Sequence, residues 1–492
     1  MFWLLTAALA WANSVTVTVE VSDDGVQIVD AYHSELRPMV TPGFDVEVIG
    51  DDGDILSVGG LRDPRLRSII HPVGEGPNGD TTMLERGVTR LQLPWSEGAR
   101  FLQTPLGQVT PGQLPPPGDI PPIQVHGTGN AEERLDLLVL ADGYTEQELS
   151  LFADDVNALM DHLFSIEPWA SYSELVNVWR IDRPSSQSGV SRDSEDTVSP
   201  YGCYYGCNGL DRLICCDDAN ILAEADASLP ATDGVLVLVN DPEYGGSGGF
   251  NYAVSTARHP DALQVATHEL GHTLVGLWDE YSYGVPGDVS IDGEAANCAA
   301  DPNAVGWEDW LDVEGVDASP VCSFTNYYRP TEHSCMMNVL QDRYCPVCRQ
   351  ESIYSIYARV PELVSDITPA PGGAVYIGKN DDPFVFEFEE VGPASGLQYD
   401  WYVGQELVAE DTQELDLACS GLKGDLYLHV YDPTPWVRTD PYGLTWKIIG
   451  PWKLNTGSPC DSGCGCASPS PGALPWLTLI LAGLFARRRR QV

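Results

Sequence analysis

Residues 267–281 constrain the fold of this chain most, because they contain two histidines four positions apart with a glutamate after the first. On an α-helix such residues lie on one face, so His268 and His272 can bind one metal ion while Glu269 handles a proton. Pro260 suits the first turn of this helix. Apolar residues form a stripe on the opposite side: Leu263, Ala266, Leu270, Leu274 and Leu277. We therefore predict a helix that packs one face on a core and presents two ligands to a cleft.

The order His-Glu-x-x-His is typical of zinc hydrolases, so Zn²⁺ is the predicted cofactor. The third ligand must come from beyond the helix. If the helix continued, Asp279 would lie about 10 Å further along the axis than His272, too far for a shared ion. Gly276 can end the helix with a positive φ, and Asp279 follows it by three residues. Asp279 is the predicted third ligand, with Glu280 as the alternative.

The segment HELGHTLVGLWDEY (268–281) resembles the zinc motif of the IgA-peptidase family of bacterial metallopeptidases. Gly276 to Asp279 is also similar to the metzincins, whose third ligand follows a glycine by three. Here the glycine lies one residue further from the second histidine, which leaves the ligand open between Asp279 and Glu280. The runs LLVLADGYTEQEL and NVWRIDRPSSQSG resemble the catalytic domain of the same family, and the likeness covers about residues 125–360.

A pair of methionines, Met336 and Met337, lies downstream of the zinc motif. It resembles the methionine turn that forms an apolar floor under the metal in metzincins; the alternative is ordinary core methionine. Cys345 and Cys348 in a Cys-x-x-Cys pattern suggest a second metal or a redox site, but a zinc ribbon needs another such pair and the sequence has none. We predict instead that they form disulfides with the cysteines around them, Cys298, Cys322 and Cys335. A second group should staple an inserted loop: Cys203, Cys207, Cys215 and Cys216.

Composition limits the partners and the compartment. The chain has 26 basic and 72 acidic residues, a net charge of −46, so a nucleic-acid partner is excluded by repulsion. Acidic loops at residues 51–54 and 217–218 could hold Ca²⁺, although neither matches the twelve-residue calcium loop. Thirteen cysteines indicate an oxidising compartment. An apolar start that ends in Ala10-Trp11-Ala12 agrees, since it predicts a signal peptide over residues 1–12.

The chain is long enough for several folded units. Alternating apolar residues from Val15 to Val21 predict a strand, and residues 13–110 are expected to form a β-sandwich whose position resembles the family's N-terminal accessory domain. A proline-rich linker follows over 111–124. Strands and helices alternate over 125–362, the predicted catalytic domain, with buried strands at 135–141 and 235–239. Residues 363–455 are expected to form an immunoglobulin-like sandwich.

A glycine-rich loop at 245–249 precedes a predicted edge strand at 250–256, just before the zinc helix. Its free edge could pair with an extended peptide substrate; a plain loop is the alternative.

The C-terminal segment predicts attachment to the cell envelope. A Gly/Cys-rich spacer (456–472) leads to a final segment (473–492) with an apolar run and four arginines, 487–490. This pattern is typical of a membrane segment with its basic end inside, although the run is shorter than the ~20 residues of a full span. The segment resembles the Myxo-type C-terminal sorting tail of bacterial surface proteins, which implies processing near the cysteines. A plain tail anchor is the alternative.

Together these features predict an α/β (α+β) metzincin-like zinc peptidase domain flanked by two β-sandwich domains. The predicted function is a secreted or surface-anchored endopeptidase of extracellular proteins, a monomer by default. Zinc would activate a water, and Glu269 would act as general base. The alternative is a catalytically silent adhesin that binds protein or glycan through its β domains. The intact glutamate of the motif weighs against that alternative.

Overall fold

The computed structural model describes residues 14–456, apart from 35–44, 62, 74–78, 114, 117, 128, 132, 193–198, 250–251, 289–292, 361, 379–381 and 419. The predicted signal peptide and almost all of the spacer and sorting tail therefore lie outside the described residues. Among the helices of the part that is described, none combines the length and the apolar composition that a membrane crossing needs.

The N-terminal unit consists of β-strands. They are β1 (Ser14–Ser22), β2 (Gly25–Ser34), β3 (Val46–Gly50), β4 (Ile55–Gly59), β5 (Leu66–Ile70), β6 (Gly79–Met83), β7 (Arg86–Pro94), β8 (Ala99–Thr104) and β9 (Gly107–Val109). β2-β1-β7 and β4-β3-β8-β9 form two antiparallel sheets, and β5 and β6 form a separate hairpin. The predicted alternation is confirmed, because Val15, Val17 and Val19 are fully buried and pack on Val46 and Val48 of the other sheet.

The middle unit combines a sheet with helices. Its elements are β10 (Ile123–His126), β11 (Leu135–Asp142), α1 (Leu149–Leu163), β12 (Val176–Ile181), β13 (Tyr204–Tyr205), β14 (Ile214–Cys215), α2 (Asp218–Ser228), β15 (Gly234–Val239), β16 (Gly246–Ser247), β17 (Tyr252–Thr256), α3 (Ala262–Leu270), β18 (Ser319–Cys322), β19 (Phe324–Arg329) and α4 (Pro346–Arg359). The main sheet has the order β10-β12-β11-β15-β17-β16. Its four inner strands are parallel and its two outer strands antiparallel.

The apolar runs predicted as buried strands are β11 and β15, and every residue of both strands is buried. Helices cover the faces of a parallel sheet, which is why its central strands can be apolar throughout. The mixed α/β character is thus confirmed for this unit.

The predicted edge strand is wrong in one respect. The described part of it, β17, lies inside the sheet, because it pairs with β15 on one side and with β16 on the other. The glycine-rich segment folds back as β16 and becomes the outer strand. The sequence signal was misread because a two-residue strand of glycine and serine has no apolar alternation.

The C-terminal unit is again built from strands. They are β20 (Val364–Thr368), β21 (Ala374–Ile377), β22 (Phe384–Val385), β23 (Glu387–Glu390), β24 (Gln398–Val403), β25 (Glu406–Glu410), β26 (Glu414–Leu415), β27 (Lys423–Tyr431) and β28 (Trp446–Thr456). β21-β28-β27-β24-β25 form one sheet, while β20-β23 and β22-β26 form two pairs. Phe386, Trp401 and Trp452 pack together inside, with ring centroids 4.2–5.7 Å apart. The assignment of both flanking units as β-sandwiches remains a prediction.

Candidate metal centre and active site

Helix α3 carries His268, the turn that continues it carries His272, and the helical segment ends at Gly276 as the sequence predicts. Ala266, Leu270, Leu274 and Leu277 are buried in the core, and Leu263 is half-buried against it. Gly276 has φ 79° and ψ 24°, a left-handed conformation that often ends helices and that glycine adopts most easily. The start differs from the prediction, because Pro260 precedes the helix, which begins at Ala262 after Asp261.

The last turn before Gly276 is a π-turn over Gly271–Val275, a departure that periodicity does not reveal. It contains His272 and lies directly over the methionines. Gly271 leaves no room for a side chain here, since an added Cβ would come 2.8 Å from Sδ of Met337. The turn therefore depends on glycine at this position.

Three of the predicted site residues meet at one point. Nε2 of His268 lies 3.1 Å from Oδ1 of Asp279, and Nε2 of His272 lies 3.2 Å from the same oxygen. The two Nε2 atoms are 3.3 Å apart. All three side chains are buried, with His272 the most exposed at 6%. Asp279 reaches this point because the chain turns at Gly276, as the sequence analysis required.

The histidine rings are held by their other nitrogens. Nδ1 of His268 donates to the carbonyl oxygen of Met336 at 3.0 Å, and Nδ1 of His272 donates to that of Leu277 at 2.7 Å. When Nδ1 carries the proton of a neutral imidazole, Nε2 carries a lone pair. Two lone pairs 3.3 Å apart repel unless a cation or a proton lies between them. The donor set of two imidazoles and one carboxylate thus fits a zinc ion.

Electrostatics around Asp279 favour its ionised form. Burial opposes ionisation, but the two histidines outweigh it and hold the pKa of the Asp279 carboxyl far below its usual range. Burial likewise opposes protonation of His272, yet Asp279 raises the pKa of that imidazole to about 9. The second oxygen of Asp279 accepts hydrogen bonds from Ser68 Oγ at 2.9 Å and from the Tyr283 hydroxyl at 2.8 Å. The ionised Asp279 carboxylate is therefore the group at this site that attracts a cation.

Glu269 is placed beside this point but not in it. Its Oε2 lies 4.0 Å from Nε2 of His272, further than the 3.2 Å of Asp279 Oδ1, although ligand atoms of Glu269, His268 and His272 all lie within 4.8 Å of one another. The side chain is fully buried, and neither oxygen has a hydrogen-bond partner among the described residues. Burial raises the pKa of Glu269 to about 7, against the lowering effect of both histidines. A carboxylate that exchanges a proton near neutral pH is suited to general base chemistry.

Glu280, the alternative ligand, points elsewhere. Its Oε1 accepts from Nδ2 of Asn297 at 3.2 Å and lies 3.2 Å from Sγ of Cys348. The structure thus separates the two adjacent carboxylates, one toward the histidines and one toward the cysteines.

Met336 and Met337 are fully buried beneath the histidines. The Met336 carbonyl orients His268, and the Met337 carbonyl accepts from the backbone N–H of Glu280 at 2.8 Å. The pair therefore contacts both the helix and the segment that carries Asp279.

Strand β5 of the N-terminal unit covers one side of the site, so the face that carries the histidines is packed against β5 there. The N–H of Gly248 donates to the carbonyl of Ser68 at 3.0 Å, and the two residues form an antiparallel bridge. Arg67 beside it is fully buried and pairs with Asp218 at 3.0 Å. Sequence reasoning missed β5 because it lies far upstream and carries no local signal of its partner.

Two glycines make this close approach feasible. A Cβ on Gly248 would clash with Oε2 of Glu269, and one on Gly249 would clash with a guanidinium nitrogen of Arg67. The glycine run was the available signal, since clustered glycines mark places where another chain segment comes close. A cavity of about 420 Å³ approaches His272 from another side and is lined by Leu61, Gln92, Tyr354 and Tyr442, among others.

One of the two predictions about cysteines is confirmed, and the other holds for only one pair. Cys203–Cys216 and Cys207–Cys215 staple the inserted loop, and Cys298–Cys322 forms a third disulfide. Cys335, Cys345 and Cys348 are instead buried free thiols. They lie together beside Glu280, in an arrangement that their spacing in the sequence does not predict.

The acidic loops proposed for calcium have other partners. Asp51 pairs with Arg100, Asp217 caps α2, and Asp218 binds Arg67 and the Tyr252 hydroxyl. The Ca²⁺ expectation remains a prediction.

Comparison with known families decides the class of protein. Residues 123–322 match the model of the family described as IgA Peptidase M64. This part of the chain is thus similar to the IgA peptidase M64 family. The M64 match begins at β10 and includes both histidines, Glu269, Asp279 and Glu280, while the methionine pair and α4 lie beyond it. No curated protein matches the chain.

The match to the M64 family supports a metallopeptidase, with a peptide or protein as substrate. It does not favour the alternative of a catalytically silent adhesin. The boundaries of the flanking domains remain predictions, because the match covers only the region from β10 to Cys322.

Proposed function

We propose that this chain is a zinc-dependent endopeptidase with His268, His272 and Asp279 as zinc ligands. The observation that carries the proposal is the spacing of their three donor atoms, 3.1, 3.2 and 3.3 Å. Ligands held tetrahedrally around zinc at ~2.0–2.1 Å are about 3.4 Å from one another. One ion thus satisfies all three groups, and the carboxylate offsets part of its charge.

Bound zinc supplies Lewis acidity, which polarises the scissile carbonyl and eases the ionisation of water. Glu269 accepts the proton of the attacking water at a carboxylate oxygen and delivers it to the nitrogen of the leaving amine. Its burial suits this role, because burial raises the pKa of this carboxyl and so makes it a better proton acceptor. Gly248 keeps the space above Glu269 free of any side chain.

Substrate access requires a movement of β5. An extended peptide commonly binds by pairing with the outer strand of a sheet, and Gly248 at that edge is already paired with Ser68. Glu269 is inaccessible to solvent in this arrangement. We infer that the conformation described is a closed form and that peptide cleavage follows displacement of β5.

We place the enzyme outside the cell, attached to the envelope or released from it. The predicted signal peptide and sorting tail motivate this, and the three disulfides support it because such bonds persist in oxidising compartments. The resemblance to IgA-cleaving enzymes concerns fold and chemistry, so the target is expected to be an extracellular protein without further definition.

Hydrolysis of casein by the purified chain, before and after chelation, tests the function. Wild type should cleave, lose activity on chelation and regain it with Zn²⁺. Glu269→Gln should retain zinc and fold but lose at least ~10²-fold in rate, the usual scale for a general base. Glu308→Gln at an exposed position is the matched control and should match wild type. Near-wild-type turnover by Glu269→Gln would refute the mechanism.

A further inference from the structure

Four buried groups from three segments converge about one point next to the candidate active site. Glu280 follows Asp279, Cys335 precedes the methionine pair, and Cys345 and Cys348 lie at the start of α4. Their ligand atoms all lie within 4.8 Å of one another. Two pairs are closer, since Sγ of Cys335 is 3.6 Å from Sγ of Cys348, and the latter is 3.2 Å from Oε1 of Glu280.

These distances suit thiol hydrogen bonds as the groups stand and also match ligands around a common ion, but they are too long for a disulfide. A disulfide requires sulfur atoms ~2.05 Å apart. A tetrahedral zinc ion with Zn–S of ~2.3 Å and Zn–O of ~2.0 Å has S···S edges of about 3.8 Å and S···O edges of about 3.5 Å. The observed 3.6 and 3.2 Å are within a few tenths of an ångström of these edges. Three cysteines also cannot all pair with one another.

Backbone N–H groups point at two of the three sulfur atoms. The backbone N–H of Cys345 donates to Sγ of Cys335 at 3.4 Å, and the N–H of Cys348 donates to Sγ of Cys345 at 3.5 Å. Cys345 is also the N-cap of α4, where the helix dipole stabilises negative charge. Such charge buried without a cation would be costly.

Glu280 provides an independent sign that a ligand is needed. Its side chain is fully buried, and Oε2 has no hydrogen-bond partner among the described residues. Most buried carboxylate oxygens accept a hydrogen bond or bind a cation. The absence of such a partner for Oε2, beside three sulfur atoms, therefore needs an explanation. A metal ion in the middle of the four groups supplies the missing partner.

We propose that Glu280, Cys335, Cys345 and Cys348 bind a second zinc ion with a structural role. Thiolates select soft or borderline ions, and four protein ligands leave no open position, which is the pattern of structural zinc. The site is separate from the catalytic centre and uses none of its ligands. It also explains why three cysteines of a protein with disulfides are reduced, because bound zinc protects thiolates from oxidation.

The second ion would stabilise the segments that position the catalytic ligands. Glu280 is covalently next to Asp279, and its N–H bonds the Met337 carbonyl, while the neighbouring Met336 carbonyl orients His268. Zinc therefore ties the segment with the third catalytic ligand to the methionine pair and to α4. Loss of this ion should loosen the catalytic centre without removing any of its ligands.

Metal analysis of the purified full chain tests the proposal. Wild type should contain two zinc ions per chain. His272→Ala, which removes a catalytic ligand, should keep one, and Cys348→Ser should also keep one while it unfolds at a lower temperature. The matched control is the double variant Cys203→Ser/Cys216→Ser, which removes two cysteines from a disulfide and should retain two ions.

Cobalt substitution keeps the proposal testable if Cys348→Ser does not fold. Cobalt-loaded His272→Ala should show the thiolate-to-cobalt charge-transfer band in the near ultraviolet, since the catalytic ligands contain no sulfur. Absence of that band, or a disulfide among the three cysteines in peptide mass spectrometry, would overturn the second site. Neither result depends on peptidase activity, so failure here and failure of the proposed function can be told apart.

Discussion

Oγ of Ser68 donates a hydrogen bond of 2.9 Å to Oδ2 of Asp279 across 211 residues of sequence. The bond joins the strand that covers the site to the carboxylate that faces both histidines. Arg67 anchors the same strand through Asp218, which also accepts hydrogen bonds from the Tyr252 hydroxyl and the N–H of Val88. Access to the catalytic centre is thus coupled to the docking of the N-terminal unit.

Arg67→Ala should therefore increase peptidase activity. The change removes a buried charge that holds β5, and breaking a buried pair costs ~3–5 kcal/mol, so open conformations should become more populated. The expected result is a several-fold higher initial rate on a short fluorogenic peptide, together with a lower unfolding temperature. Arg90→Ala is the matched control, because it breaks another buried pair, with Asp226, between the same two units but outside β5. Equal rates for both variants would contradict a covering role for β5.

The two adjacent carboxylates should have different functions. Asp279→Asn should lose peptide hydrolysis and need at least ~10-fold more added zinc to restore any, because Oδ1 contacts both histidines. Glu280→Gln should need no more added zinc for activity than wild type. It should instead unfold at a lower temperature, since the partners of Glu280 are Asn297 and Cys348. Zinc titrations of activity with thermal melts compare the two. If Glu280→Gln is the variant that needs extra zinc for activity, Glu280 and not Asp279 is the third ligand.

The sequence was informative wherever the determining interactions are local. The position of Gly276, the opposite faces of α3 and the apolar runs of β11 and β15 all follow from the spacing of neighbours, and the structure contains them. The covering strand could not be predicted, because Arg67 and Ser68 owe their burial to Asp218 and Asp279, far along the chain. The prediction of disulfides for Cys335, Cys345 and Cys348 was wrong for the same reason. A Cys-x-x-Cys pattern does not reveal that Glu280 lies beside it.

The pH dependence of stability should reflect Asp142 at the end of β11. Burial raises the pKa of its carboxyl from 3.8 to about 7, although the N–H of Tyr201 donates to it. Between these values the folded protein binds a proton that the unfolded chain has released. The contribution of Asp142 to the free energy of unfolding is therefore greatest below pH ~4. It falls by up to about 4 kcal/mol as the pH rises through 7.

Asp142→Asn should remove this loss, so the unfolding temperature should fall less between pH 5 and pH 8 than in wild type. The control is Asp54→Asn in an exposed turn, which should follow the wild-type curve. Parallel curves for Asp142→Asn and wild type would show that Asp142 is already ionised in the folded protein at pH 5.

Removal of the residues after Asn455 should convert an envelope-bound enzyme into a freely soluble one. The apolar run and its four arginines motivate this prediction, and the cut retains the catalytic centre and nearly all of β28, whose last residue is Thr456. Truncation also removes four of the 26 basic residues, so the remainder becomes more acidic and no less soluble. Activity should move from the membrane fraction to the medium with the same rate per molecule. A matched chain in which only Arg487 to Arg490 are replaced by glutamine separates the charge of the tail from its apolar run. If the truncated enzyme stays with the membrane, a different part of the chain holds it there.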